Sequence, residues 1–179
     1  MKFFYIILLV CLFSCNQDKH IKKYSIPKLK KVDKNNLFSE DKVKKSFNWL
    51  VPENWNEGIK SSMRLASYSI PYNDKVADVS ITNFSGDGGG LLQNINRWRK
   101  QLGLKAITNE NLKEMIELKE SKLGNYKYIK IINKENKDTA FLCSIIQIDN
   151  STIFVKLNST IEGTEILENE FINFCSSFY

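Results

Sequence analysis

The chain has 179 residues and a formal net charge of +6, which is long enough for one domain with a substantial core once an N-terminal tail is set aside. Its one histidine, His20, lies in a lysine-rich segment that is typical of a linker. The folded part therefore has no histidine for a Ser-His-Asp triad, a Cys-His dyad or a histidine zinc site. We expect no catalytic residues, no metal and no cofactor, and predict that the protein is not an enzyme.

The positive charge is confined to the N-terminal part of the chain. Residues 16–45 hold ten lysines against four acidic residues, whereas residues 46–179 hold fifteen basic side chains against sixteen acidic ones. A nucleic-acid-binding protein clusters its basic residues on a folded face, so nucleic acid is not an expected partner. A basic segment next to a membrane instead favours anionic lipid head groups.

The first 14 residues have the pattern of an export signal, with Lys2 before an apolar run that is too short to span a membrane as a stable helix. The run ends in Leu12-Phe13-Ser14-Cys15, which resembles the lipobox of bacterial lipoproteins. This resemblance implies cleavage before Cys15 and lipidation of that cysteine, including palmitate. The mature protein would then be anchored to a bacterial membrane and face the periplasm. A plain secretory signal or an uncleaved anchor is the alternative.

The rest of the chain divides into a tether and one domain. Residues 15–45 are predicted to form a basic, flexible tether because they contain few apolar side chains. A little helix is expected near its end, within Leu37–Lys45. A single domain is predicted over residues 46–179.

Alternating apolar residues predict three strands at the start of this domain. They are Phe47–Pro52, then Met63–Ile70, which is stopped by Pro71, and Ala77–Phe84. A loop over Pro52–Ser62 contains Trp55, and Asn73-Asp74 forms a turn.

A glycine-rich turn and a helix follow the third strand. Gly86-Asp87-Gly88-Gly89-Gly90 predicts an unusual, tight path because glycine adopts positive φ without a Cβ penalty. The helix is expected to end at Gly103. Its apolar face, which should pack on a sheet, comprises Leu91, Ile95, Trp98 and Leu102, and a polar stripe beside it comprises Asn94, Arg97 and Gln101.

Two interpretations of this segment stay open. The helix start, with the N–H groups beside Gly88, Gly89 and Gly90, either holds an anion or serves only as a flexible connection. The polar stripe either recognises a carboxylate or phosphate, or ties the glycine turn to strand ends. The glycine pattern matches neither GxGxxG nor GxxxxGK[ST], so a nucleotide site is only weakly indicated.

The second half of the domain is predicted to be rich in hairpins. Thr108 and Asn111 indicate a short helix up to about Met115, and Ile116–Lys122 either continues it or forms a strand edge. The remaining elements are strands at Asn125–Ile132, Thr139–Ile148 and Thr152–Leu157 and an amphipathic helix over Ile161–Phe178. This order predicts an α+β fold with an antiparallel sheet of about six strands and helices packed on it. Cys143 and Cys175 either form a disulfide, which export permits, or are buried apolar residues.

Several motifs carry a family resemblance. Trp49-Leu50-Val51-Pro52, Trp55, and Phe154-Val155-Lys156-Leu157 before the last helix resemble the PsbP-like fold. Other motifs resemble an uncharacterised family of exported bacterial lipoproteins: Ser62–Ser67, Gly89-Gly90-Leu91 and Asn94–Leu104. The resemblance covers about residues 46–179 and implies binding or assembly rather than catalysis.

These observations leave two functional hypotheses. The first is an accessory or assembly module that docks an envelope protein through Trp55, the glycine turn and Arg97-Trp98-Arg99. The second is a small-ligand binder that holds an anionic group at the helix start. In a sharper form of the second, one pocket is lined by Arg64, Asn94, Arg97 and Gln101, with Asp87 or an external anion as counter-ion. An exposed apolar patch at Trp55 favours the first hypothesis, and a concave pocket with both arginines favours the second. No oligomeric state is predicted.

Overall fold

The computed structural model describes residues 47–59 and 61–179. The export signal, the lipidation of Cys15, the tether over residues 15–45 and the short helix within Leu37–Lys45 lie outside the described residues and stay predictions. Among the described helices, none combines the length and the apolar character that a membrane crossing requires.

The described chain forms one seven-stranded antiparallel sheet and three helices. The strands are β1 (Asn56–Glu57), β2 (Ala66–Tyr72), β3 (Lys75–Ser85), β4 (Glu117–Ser121), β5 (Gly124–Ile132), β6 (Ala140–Ile148) and β7 (Ser151–Ser159). The helices are α1 (Leu91–Gln101), α2 (Asn109–Met115) and α3 (Ile161–Ser176). The order across the sheet is β1-β2-β3-β7-β6-β5-β4, and every neighbouring pair is antiparallel. The predicted α+β class with an antiparallel sheet is confirmed, with one strand more than expected.

The first predicted strand is wrong. Residues 47–52 are irregular, and Asn48 exchanges two backbone hydrogen bonds with Tyr179 at the chain end, at 2.7 and 3.0 Å. The rings of Phe47 and Trp49 pack against Phe178, just after the last helix, instead of against a neighbouring strand, and Val51 is exposed. The Trp49 ring stacks on Phe178 with centroids 5.3 Å apart.

Two further boundaries differ from the sequence prediction. Strand β2 continues through Pro71 to Tyr72, because β1 pairs only with Tyr68 and Ser69 and leaves the outer side of Pro71 without a partner strand. A proline is tolerated at such an edge since its missing N–H leaves no ladder bond unmade. The ambiguous segment after α2 is strand β4, at the opposite edge of the sheet.

Helices cover both faces of the sheet. Leu167, Phe171 and Phe174 of α3 belong to one buried cluster, whereas Ile95 and Trp98 of α1 belong to another on the opposite face. Successive side chains of a strand point to opposite faces, so a strand with helices on both sides is apolar throughout. Strand β6 shows this pattern, since its side chains are buried without interruption from residue 140 to residue 146.

Strand β3 shows the other pattern. Its apolar residues Ala77, Val79 and Ile81 are completely buried on the α3 face. At the alternate positions, on the face that carries α1, Asp78, Ser80 and Thr82 are polar, whereas Phe84 at the end of the strand packs against the α1-face cluster. The buried residues of that cluster come from β5, β6 and β7 among the strands, so α1 does not cover β2 or the Asp78–Thr82 part of β3. We call this uncovered region the polar shelf, and its side chains are Ser67 and Ser69 of β2 and Asp78, Ser80 and Thr82 of β3.

The two cysteines of the domain lie on opposite sides of the sheet. Cys143 belongs to the α1-face cluster and Cys175 to the α3-face cluster, and both are free, fully buried thiols. Burial raises the pKa of both thiols. A disulfide between Cys143 and Cys175 is therefore ruled out, because the side chain of β6 that faces α3 is Ser144 rather than Cys143.

Candidate functional site

A cavity of about 250 Å³ lies between α1 and the polar shelf. Its lining combines three kinds of side chain. The cations are Arg64, Arg97 and Lys156, the hydroxyls are Ser61, Ser80 and Thr82, and the aromatic rings are Phe84, Trp98 and Phe154. Met63 and Gln101 complete it.

The three cations come from three separate elements. Lys156 points to the α1 face because its neighbours Val155 and Leu157 occupy the α3-face core. Arg97 lies in the middle of α1, and Arg64 lies just before β2. The cavity thus depends on the packing of α1 beside β7, which the Trp98 and Phe154 rings establish edge to face at 5.7 Å.

Lys156 is half-buried at the base of the cavity. Its Nζ donates to Gln101 Oε1 at 3.1 Å and lies 4.3 Å from the centroid of the Phe141 ring. Burial is the largest influence on the pKa of Lys156 and lowers it, as do the guanidinium groups of Arg64 and Arg97, whereas Cys143 and the Asp78 carboxylate act in the opposite direction. No carboxylate of the described residues forms an ion pair with this ammonium group.

Arg97 is oriented by an amide and also lacks an acidic partner in the described part of the chain. Its Nη2 donates to Asn94 Oδ1 at 2.7 Å. Asn94 is buried, and its Nδ2 donates to the carbonyl oxygens of Gly88 and Gly90 at 2.9 and 2.6 Å. Asn94 therefore ties the glycine turn and holds the guanidinium at the same time, although it does not line the cavity.

Arg64 is the one cation of the cavity with an ionic partner. Its two Nη atoms donate to the two carboxylate oxygens of Asp78 at 2.9 and 3.0 Å, and Nη1 also reaches Ser67 Oγ at 3.2 Å. The predicted carboxylate, Asp87, is occupied elsewhere, since it accepts from the Gly89 N–H at 2.9 Å. Arg64, Arg97 and Gln101 thus line one pocket, with Asp78 in the place expected for Asp87.

The glycine turn does not line this cavity. Gly88, Gly89 and Gly90 all have positive φ, as the sequence predicted. Gly88 packs on Phe154 so closely that a Cβ would lie 2.7 Å from the ring. The Gly86 carbonyl accepts from Thr152 Oγ1 at 2.7 Å. The contacts of the turn hold it on β7. The two cations without an acidic partner, Arg97 on α1 and Lys156 on β7, lie away from the turn.

Trp55 does not form the exposed patch that the docking hypothesis requires, so this prediction is wrong. Its side chain is only 6% exposed. The ring packs on Phe174 with centroids 4.4 Å apart, and Nε1 donates to Glu170 Oε1 at 2.6 Å. The loop that carries Trp55 folds the ring into the α3-face core.

Sequence reasoning missed Lys156 and the shelf residues of β3. The sequence did contain a signal for each. Lys156 interrupts the apolar run Ile153–Leu157 of β7. Asp78, Ser80 and Thr82 alternate with apolar residues in β3, whereas Ser144 is the single polar residue between positions 140 and 146 of β6. This contrast marks the strands that α1 leaves uncovered.

Neither a scan against family descriptions nor a search of curated proteins finds a match. Several solved structures are similar to this chain, among them the following three. The solution structure of the cyanobacterial PsbP protein CyanoP from Synechocystis sp. PCC 6803 has a TM-score of 0.48 and 12% identity over 74% of this chain and 85% of that chain. A protein from Bacteroides thetaiotaomicron has a TM-score of 0.45 and 15% identity over 74% of this chain and 44% of that chain.

The third is LpqN from Mycobacterium tuberculosis, described as involved in cell envelope biogenesis, with a TM-score of 0.38 and 10% identity over 74% of this chain and 81% of that chain. CyanoP belongs to the fold family that the sequence resembles. Because all three TM-scores are below 0.5, these likenesses carry no information on the ligand or partner of this chain.

Proposed function

We propose that this protein is a lipid-anchored, non-catalytic binding module of the bacterial envelope, and that its cavity between α1 and the polar shelf holds an anionic group of a small ligand. One observation carries the proposal. Arg97 and Lys156 face the same cavity and have no carboxylate partner among the described residues. Lys156 is half-buried, whereas Arg97 is exposed. The cost of an uncompensated charge therefore falls mainly on Lys156, and a bound anion removes it.

The cavity is organised before any ligand arrives. Asn94 fixes the guanidinium of Arg97, and Asp78 fixes that of Arg64. The aromatic walls reduce the access of water, which strengthens each ionic contact. Side chains that are already ordered lose little entropy when the ligand binds.

The docking hypothesis takes second place because Trp55 is buried. The predicted anchor at Cys15 and the basic residues 15–45 would keep the module at the membrane surface, where the cavity meets envelope ligands. A protein partner stays a proposal for the same cavity, with an acidic side chain as the anionic group.

Thermal unfolding of the full chain in sulfate at low ionic strength tests the proposal. If sulfate binds with a dissociation constant of about 1 mM, then about 10 mM should stabilise the protein by about 1.4 kcal/mol. For a domain of this size that corresponds to a rise in Tm of about 3–6 °C.

The comparison of variants is decisive, because sulfate also stabilises proteins through exclusion from their surfaces. Arg97→Gln should lose most of the increase. Arg99→Gln is the matched control, since Arg99 donates to the Lys105 carbonyl on the other flank of α1. Equal shifts in the wild type and both variants would refute the proposal.

A further inference from the structure

The charged side chains around the cavity indicate how much negative charge its ligand should carry. Three cations and one carboxylate meet there, and Asp78 already pairs with Arg64 through two hydrogen bonds. Arg97 and Lys156 are left without an anion in the described part of the chain. A monocarboxylate would compensate only one of them, whereas a phosphate monoester carries up to two negative charges at neutral pH and offers three acceptor oxygens.

The donors around the cavity also fit a phosphate group. A guanidinium binds phosphate through two parallel N–H groups, and an ammonium acts as a compact point charge. Ser80 and Thr82 line the same cavity, and the Ser80 hydroxyl donates to the Lys156 carbonyl at 3.4 Å, which leaves Thr82 of these two as the hydroxyl donor for a phosphate oxygen.

A second, open cavity of about 840 Å³ adjoins the first. Arg64 and Ser61 line both. The second cavity is lined by Asp78, with its carboxylate, and by Ser69, with its hydroxyl, and Glu57 borders it. Carboxylates accept hydrogen bonds from ligand hydroxyls and repel a further negative charge. This compartment therefore suits a neutral, hydroxylated group.

We propose that the ligand is a phosphate monoester of a hydroxylated small molecule. The phosphate lies between Arg97 and Lys156, and the hydroxylated part extends past Arg64 toward Ser69 and Asp78. This inference rests on the proposed function and specifies the ligand class of the same cavity.

Calorimetric titration of the full chain at low ionic strength tests this assignment. Glycerol 3-phosphate should bind at least about tenfold more tightly than glycerate, which has hydroxyls but only one negative charge. It should also bind more tightly than inorganic phosphate, which lacks the hydroxylated part. Vesicles containing phosphatidic acid, a lipid with the same monoester group, distinguish a lipid source from a free metabolite.

The pH dependence provides an independent readout. The second pKa of a phosphate monoester is about 6. Below it the ligand loses one charge, so the affinity for glycerol 3-phosphate should fall between pH 7.5 and pH 5. Sulfate stays dianionic over this range. The pH dependence of sulfate affinity therefore reports the effect of the charged protein groups around the two cavities, which are Arg64, Arg97, Lys156, Asp78 and Glu57.

Two variants test which cavity binds the phosphate and which binds the hydroxylated part of the ligand. Lys156→Met should weaken the binding of glycerol 3-phosphate and of inorganic phosphate alike, by about tenfold or more. Ser69→Ala should reduce only the preference for glycerol 3-phosphate over inorganic phosphate. Circular dichroism of each variant verifies its fold.

The outcomes separate this inference from the function on which it rests. Equal affinities for glycerate and glycerol 3-phosphate would overturn the monoester assignment and leave anion binding intact. Equal affinities for inorganic phosphate and glycerol 3-phosphate would overturn the hydroxylated compartment. No binding of any anion, sulfate included, would overturn both proposals.

Discussion

Replacing Gly88 by alanine should destabilise the protein more than replacing Gly86. Both glycines have similar positive φ, +66° and +63°. In either position alanine pays the left-handed backbone cost of about 1–2 kcal/mol. A Cβ at Gly88 would in addition lie 2.7 Å from Phe154 Cζ, whereas at Gly86 it would meet nothing within 4 Å.

The Phe154 ring has little room to yield. It is 4% exposed and packs between Phe84 and Trp98, with centroid distances of 5.6 and 5.7 Å. Overpacking of this kind costs about 1–3 kcal/mol. We therefore expect a loss of about 1–2 kcal/mol for Gly86→Ala and of about 2–5 kcal/mol for Gly88→Ala.

Urea unfolding of the full chain, followed by tryptophan fluorescence, measures both losses. In a Phe154→Leu background the smaller side chain should relieve the clash. The penalty of Gly88→Ala should then fall toward that of Gly86→Ala, which a double-mutant cycle reports as a coupling energy. Equal losses for the two glycine variants in the wild-type background would refute the reasoning.

Three further predictions concern single side chains. Asn94→Ala should cost about 1–3 kcal/mol of unfolding free energy, because the Gly88 carbonyl loses its side-chain donor and the Gly90 carbonyl keeps only the Asn94 backbone N–H. It should also weaken sulfate binding, and unchanged values in both measurements would contradict the role of Asn94 in holding the turn and Arg97. Burial raises the pKa of Glu168, but hydrogen bonds from Lys130 and Tyr128 outweigh this and lower it. The contribution of Glu168 to the free energy of unfolding is therefore present above its unfolded-state pKa. It is lost as the pH falls through the lower folded-state pKa. The stability advantage of the wild type over Glu168→Gln should shrink from pH 7 to pH 3, and a constant difference in urea unfolding would oppose this. Alkylation in denaturant without reductant should label Cys143 and Cys175, whereas a cross-linked peptide in the mass spectrum would contradict the free thiols.

Local patterns predicted much of the fold. The apolar face of α1 is confirmed, since Ile95, Trp98 and Leu102 are buried. Glycine chemistry located the turn before this helix and its end at Gly103, which has positive φ. These features depend on residues close together in the chain, and the sequence alone therefore contains them.

Features that depend on distant partners were harder to predict. Phe47–Pro52 alternates like a strand, yet its rings pack on Phe178 at the far end of the chain. Trp55 lies in a polar loop, and its burial depends on Phe174 and Glu170 of the last helix. Single-strand periodicity cannot distinguish such packing from an exposed surface.

The candidate site was predicted in part. The structure places Arg64, Arg97 and Gln101 around one cavity. Asn94 does not line this cavity but accepts a hydrogen bond from Arg97. Lys156 was missed because its role depends on which part of the sheet α1 covers. That coverage follows from the order of all seven strands, which the sequence did not predict.

An NMR titration of the ¹⁵N-labelled full chain with sulfate is the most direct test of anion binding in the cavity. We predict that the Arg97 side-chain Nε–H signal and the backbone amides beside Lys156 shift together, while the Arg99 side chain does not respond. Shifts confined to the backbone amides of residues 88–92 would place the anion at the start of α1 and contradict the cavity assignment. The absence of any saturable shift would contradict anion binding itself.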